Sequence, residues 1–101
     1  MTAFTTEQNN LARWCKALSH PARIAILEYL AKVDGCFCGD IVEVLPLSQS
    51  TVSQHLKALK EAGFIKGITE GVKTCYCIDR DEWELIKAHI ESFLNQKQIC
   101  C

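Results

Sequence analysis

A chain of 101 residues, 49% of them hydrophobic, has material for one modest core and is too apolar to be disordered, so one domain spanning residues 1–101 is expected. A net charge of −1 excludes a polycation that coats nucleic acid along its whole length. No apolar run approaches the roughly 18 residues of a membrane span, and the polar opening MTAFTTEQNN is no signal peptide, so no membrane partner and a cytoplasmic location are expected.

Seven cysteines in a cytoplasmic chain point to metal binding or redox sensing rather than a disulfide scaffold, because thiols there stay reduced. Charge is unevenly spread. Residues 48–74 carry Lys57, Lys60, Lys66 and Lys73 against Glu61 and Glu70. The stretch after them is acidic, with Asp79, Asp81, Glu82, Glu84 and Glu91 against Arg80, Lys87 and Lys97. The local basic excess suits one nucleic-acid-facing edge.

In chain order, Leu11, Trp14, Cys15 and Leu18 recur at helical spacing and predict a helix over 7–18. Ser19 as N-cap and Pro21 in the first turn predict a second helix, with Ile24, Leu27 and Leu30 as its buried stripe, Ile26 flanking, and Asp34-Gly35 as its stop. Asp40, with Glu43 three residues on, resembles a capping box and starts a short helix over 41–45. Pro46 ends it, Ser48 caps a helix over 49–62, and Gly63 closes that helix. Two helices joined by so short a turn form a helix-turn-helix. The runs 64–68 and 72–78 are β-branched and aromatic and read as a β-hairpin. A last helix over 80–98 carries Trp83, Ile86, Ile90, Phe93 and Leu94 on one stripe, longer than so small a core needs, and reads as a subunit interface. The order α-α-α-α-β-β-α describes a mainly α winged helix with a β-hairpin wing, dimeric through its terminal helices.

On the helix over 49–62, successive residues turn by about 100°. Val52, Leu56 and Leu59 share one face, while Ser50, Gln54, Lys57 and Glu61 share the opposite one. An ordinary amphipathic surface helix has the same stripe. The preceding short helix, the tight turn and the lysine-bearing hairpin favour contact with DNA. Hydroxyl, amide and ammonium groups suit base edges and phosphates, so Ser48, Gln49, Ser50, Thr51, Ser53, Gln54, His55, Lys57 and Lys60 are candidate DNA-binding residues. Lys66 and Lys73 on the hairpin are placed on phosphates. His55 lies off the polar stripe, where packing at the core edge is favoured over metal binding.

The run DIVEVLPLSQSTVSQHLKALKEAGFIKG resembles the helix-turn-helix of the ArsR/SmtB repressors, with Ser53-Gln54-His55-Leu56 and Ala62-Gly63-Phe64-Ile65 at its motif positions. ALSHPARIAILEYL resembles that family's second helix, so the likeness spans about residues 10 to 95. It implies a homodimer, paired through first and last helices, that represses by binding operator DNA and leaves when an inducer binds.

Cys15, on the apolar stripe, reads as core or dimer packing. Cys36 and Cys38 flank Phe37 in what should be extended backbone, so their side chains share one side and suit one soft ion. Some arsenic- and cadmium-responsive members of the resembled family carry Cys-x-Cys-Asp here, but Gly39 is inserted and no third thiol follows. Cys75 and Cys77 alternate with Thr74, Tyr76 and Ile78. The apolar face should turn inward, leaving both thiols exposed. Cys100 and Cys101 end the chain. The resemblance implies antiparallel last helices across the dimer, and this would group Cys75 and Cys77 with the partner's Cys100 and Cys101.

These six cysteines are the candidate metal ligands. Thiolates select soft ions, so As(III) or Sb(III) comes first as inducer, then cadmium or lead, then zinc, with no obligatory cofactor. The family's zinc pattern on the last helix is missing, and His89 is the one histidine there. An oxidant or persulfide sensor is the rival reading, since neighbouring thiols also form disulfides. A thiol oxidoreductase would need Cys-x-x-Cys in a βαβ setting, and neither is present, so no enzyme is expected. A DNA-free interaction module built on the last helix is the remaining alternative.

Overall fold

The first helix begins where Thr5 offers its hydroxyl to orphan backbone donors. Gln8 N–H donates to Thr5 Oγ1 at 3.0 Å and Thr5 N–H donates to Gln8 Oε1 at 2.9 Å, a reciprocal capping box. Glu7 in the first turn and Lys16 in the last oppose the helix dipole. In the computed structural model, which describes residues 3–33, 35–39 and 41–96, this helix α1 runs Thr6–Ala17. Trp14 and Ala17 are buried and Leu11 and Leu18 half-buried. Cys15 is exposed in the single chain, which excludes the core, one of its two expected places, and leaves the dimer contact as the other. At about 100° per residue it lies outside the arc that runs from Ala17 through Trp14 to Leu11.

Helix α2, Pro21–Lys32, is capped by His20 rather than Ser19. His20 Nδ1 accepts from Ala22 N–H at 3.0 Å, while Ser19 Oγ donates to the Lys16 carbonyl at 2.7 Å, finishing α1 instead. Its buried face is Ala22, Ile26, Leu27 and Leu30. The expected stripe was rotated: Ile26 is fully buried and Ile24 is 40% exposed. Ala22, Ile26 and Leu30 span about 80° of the helix, and Ile24 lies nearly opposite Ile26.

The short helix expected over 41–45 is only a 3-10 turn, Ile41–Glu43, with Ile41 buried. Asp40, the proposed cap, lies outside the described residues, as does Asp34. Helix α3, Gln49–Ala62, has the expected bounds. Ser48 Oγ accepts from Thr51 N–H at 3.3 Å, and Gly63 ends the helix at φ +96°, the left-handed region where a Cβ is strained.

Strands β1, Ile65–Glu70, and β2, Lys73–Ile78, pair antiparallel with Glu70 opposite Lys73 and Ile65 opposite Ile78. The two-residue turn is Gly71-Val72, with only Gly71 at positive φ (+63°), the pattern of a type II′ turn. Phe37, far upstream, forms a bridge to Tyr76, so a third extended segment lines β2. Helix α4, Arg80–Leu94, is capped by Asp79, whose carboxylate accepts from Glu82 N–H. It ends earlier than expected.

The core joins α1, α2, α3, β1, β2 and α4, with Ile26, Leu30, Leu59, Ile65 and Ile86 its largest fully buried side chains. Each contributes about 1.5–3 kcal/mol relative to exposure. Helix α3 is thereby fixed by its apolar face and the wing by Ile65 and Ile78, so the polar face of α3 and the hairpin tip point outward on a rigid base.

Candidate nucleic-acid face and thiol cluster

Burial on α3 follows its helical period. Val52, Leu56 and Leu59 are buried, while Gln49, Ser50, Ser53, Gln54, Lys57 and Lys60 are exposed. Lys66 and Lys73 of the wing are exposed too. Ser48 and Thr51 are engaged with each other at 2.8 Å between hydroxyl oxygens, so they shape the start of α3. A cleft of about 570 Å³ separates the start of α3 from the wing and is lined by Gln49, Ser53, Lys73 and Thr74 among others. The arrangement presents amide, hydroxyl and ammonium donors along one exposed edge.

His55 departs from the other candidate DNA-binding residues. It is 7% exposed, turned into the core edge. Its Nδ1 accepts from Arg23 Nε at 3.1 Å, its ring lies 4.5 Å from that of His20, and its buried Nε2 has no partner. Burial pulls its pKa below the ordinary value, and the nearby His20 and Arg23 act in the same direction. Arg23 also donates to the Ala17 carbonyl at 3.3 Å, so this contact ties α1, α2 and α3 together.

The thiols overturn one expectation. Cys75 and Cys77 are each 5% exposed, not solvent-facing. The hairpin was read as having one free face, whereas α2 packs against β2 and segment 36–38 runs beside it. Phe37 N–H donates to the Tyr76 carbonyl at 2.7 Å and Tyr76 N–H donates to the Phe37 carbonyl at 2.9 Å. That exchange makes Phe37 and Tyr76 a hydrogen-bonded pair of an antiparallel ladder. The flanking residues are then non-hydrogen-bonded pairs, where side chains approach closest. These are Cys36 with Cys77 and Cys38 with Cys75, at Cα separations of 4.3 and 4.1 Å, and each pair is bonded as a disulfide.

The pairing seen within the chain was not among the expected groupings. The wing thiols meet the loop thiols of their own chain, and Cys100 and Cys101, expected as their companions, lie outside the described residues. A matching signal was present in the sequence: Cys-Phe-Cys and Cys-Tyr-Cys share spacing and an aromatic centre. With these four sulfurs bonded to one another, no group of three or more His, Cys, Asp or Glu able to hold a metal ion occurs among the described residues.

Gly39, the inserted residue, has a local reason. A Cβ there would lie 2.6–2.9 Å from the Phe37 ring, which packs edge-on against Tyr29 at 5.0 Å. A larger residue would push that ring off α2.

A second surface is apolar. Between α2 and α4 an open groove of about 520 Å³ is lined by Leu18, Ile24, Leu27, Trp83 and Ile90 among others. On α4 only Ile86 is buried, and Leu85, Phe93 and Leu94 are 46%, 51% and 67% exposed. No helix among the described residues is long and apolar enough to cross a membrane.

Comparison with known proteins agrees with this geometry. Residues 20–66, which hold α2, the turn and α3, match the family model for bacterial regulatory proteins of the arsR family. The homologue of the cadmium resistance transcriptional regulatory protein CadC from Staphylococcus aureus is 32% identical over 93 residues, covering 89% of this chain and 73% of that one. The arsenical resistance operon repressor of Staphylococcus xylosus is 29% identical over 85 residues, covering 84% and 81%. The solution structure of a homodimeric winged helix-turn-helix DNA-binding domain from Mycobacterium bovis superposes with a TM-score of 0.67 at 23% identity, covering 100% of this chain and 98% of that one. These relatives are regulators and not enzymes, and the chain belongs to the ArsR family of winged helix-turn-helix transcriptional regulators.

Proposed function

We propose that this chain is a cytoplasmic, homodimeric repressor that holds operator DNA and releases it when a thiophilic inducer engages its cysteines. The observation that carries the DNA reading is the exposed stripe Ser50, Ser53, Gln54 and Lys57 on a helix whose other face is locked in the core. Placed in a major groove, these side chains read base edges, while Lys66 and Lys73 neutralise phosphates on either side of the wing. The exposed apolar residues of α4 support pairing of two copies, which matches a two-fold-symmetric operator.

As(III) or Sb(III) is the first inducer class, with cadmium, lead and zinc behind it, because all the candidate ligands are thiols. The resistance regulators among the relatives favour the same classes. Release follows from linkage: an inducer shifts the population only by the difference in its affinity for the bound and released conformers. A second reading, release by an oxidant or persulfide, is favoured by the disulfide pairing of Cys36 with Cys77 and Cys38 with Cys75. A gel-shift panel on the reduced protein separates the two. Arsenite, antimonite or cadmium dissolves the complex on the first reading; a persulfide donor alone dissolves it on the second.

A further inference from the structure

We infer that Arg23 and His55 form a latch on α3, so that the chain holds DNA while the His55 ring is neutral and gives it up when that ring takes a second proton. This rests on reading α3 as the DNA-binding helix, and it adds a control that involves none of the cysteines.

Arg23 reaches both neighbours of α2. Its Nε donates to His55 Nδ1 on α3 at 3.1 Å, and its Nη1 donates to the Ala17 carbonyl at the end of α1 at 3.3 Å. At about 100° per residue Arg23 falls between Leu27 and Leu30, on the packed side of α2, and it is half-buried there. His55 is 7% exposed although it follows the exposed Gln54 on the same helix. A polar link among three helices fixes how α3 is rotated on α1 and α2, and with it the aim of Ser50, Gln54 and Lys57. His55 is thus a positioning residue that touches no DNA.

A ring nitrogen that accepts a hydrogen bond carries no proton, so the contact needs the neutral ring with its proton on Nε2. The next proton can go only to Nδ1. It ends the bond and sets an imidazolium against a guanidinium. The surroundings offer that cation little. The His20 ring lies 4.5 Å away, and Nε2 has no partner. A groove of about 260 Å³ beside Arg23 is lined by Arg13 and Lys16 of α1 against one carboxylate, Glu61 of α3. Glu43 of the 3-10 turn and Lys66 of β1 are exposed, and the charged groups that act on the ring are His20 and Arg23.

Burial first, and then both of these neighbours, disfavour the imidazolium, so the latched state binds fewer protons than an unlatched one. Protons therefore favour the unlatched state, and the hold on DNA weakens as pH falls through the window below 6.5. The sign is diagnostic. A histidine lying against phosphates would strengthen binding on acidification, because its charge adds to the electrostatic attraction.

Two readouts on the full-length reduced protein test the latch. In imidazole NMR of the DNA-free chain, His55 should titrate below 6.5, and the Arg23 Nε–H resonance should be lost in step with it. An ordinary titration of His55, or an Arg23 signal indifferent to it, overturns the latch without any substitution. The second readout is the affinity for a labelled duplex selected from random sequence at about pH 7.5, which should fall from about pH 7 to about pH 5.5 by up to about tenfold per pH unit and subunit. His55→Asn, whose Oδ1 stands near the position of Nδ1 and does not titrate, should lose that fall. His20→Asn keeps a capping oxygen and removes the neighbouring ring, so the midpoint should move to higher pH, a shift that a merely structural role would not produce. His89→Gln should keep the wild-type profile. Affinity that stays flat or rises on acidification while His55 titrates overturns the link between latch and DNA. Failure to select any duplex at neutral pH, with the NMR behaviour intact, strikes the DNA reading of α3 and the inference with it.

Discussion

Gln54 is exposed on α3, and on the proposed reading it is the side chain on which sequence-specific binding turns, since its amide can both donate to and accept from a base edge. Gln54→Ala should weaken operator binding by about 1–3 kcal/mol with the fold intact, measured by fluorescence anisotropy on labelled operator DNA. His55, one residue on, was grouped with the DNA-binding candidates and instead packs against His20 and Arg23. Its pKa is lowered in the native state, mainly by burial, so the unfolded chain binds more protons in the window below the ordinary value of 6.5. Stability therefore rises with pH across that window and is lost as the solution is acidified through it. His55→Gln should flatten this dependence in urea-unfolding midpoints recorded between weakly acidic and neutral pH, where an unchanged slope would place the titration on another group.

Among the elements, α3 was fully legible because its caps are local chemistry. Ser48 and Gly63 sit one residue beyond each end, and the apolar period between them has no competitor. Ser48→Ala should cost about 1 kcal/mol through the lost N-cap, and Gly63→Ala about 1–2 kcal/mol through a Cβ at φ +96°, both read from thermal unfolding. The α2 stripe is hard to place from sequence because Ile24, Ile26, Leu27 and Leu30 span about 160°, Ala22, Ala25 and Tyr29 extend the apolar surface beyond them, and Arg23 falls inside the arc, so the period has little polar face to contrast with. The wing was placed but its faces were not. Period two says which residues share a side, and only the third segment, some 40 residues upstream, decides which side is covered. A pairing at that range leaves no trace in local periodicity, and the shared Cys-aromatic-Cys spacing of 36–38 and 75–77 is the one sequence signal that points to it. Gly39→Leu tests the loop's part in it: displacing the Phe37 ring should slow disulfide formation, followed by free-thiol counts after reduction and reoxidation.

At the scale of the molecule, one end presents polar donors on a rigid helix and the other leaves apolar side chains of α4 uncovered. Phe93 and Leu94 are more than half exposed in one copy, an arrangement that pairing of two copies would relieve. Phe93→Asp with Leu94→Asp should convert a dimer into a monomer in sedimentation velocity and abolish tight binding to a two-fold operator while α3 stays folded. The central claim joins the two ends: an ion held by cysteine sulfurs changes how the winged helices grip DNA. Its most direct measurement is the anisotropy of labelled operator DNA bound to the reduced dimer as arsenite is added. The account predicts release in the wild type and in Cys15→Ser, and retention in Cys36→Ser, Cys38→Ser. A complex that stays intact in arsenite, antimonite and cadmium, or one released equally well without those two thiols, would contradict it.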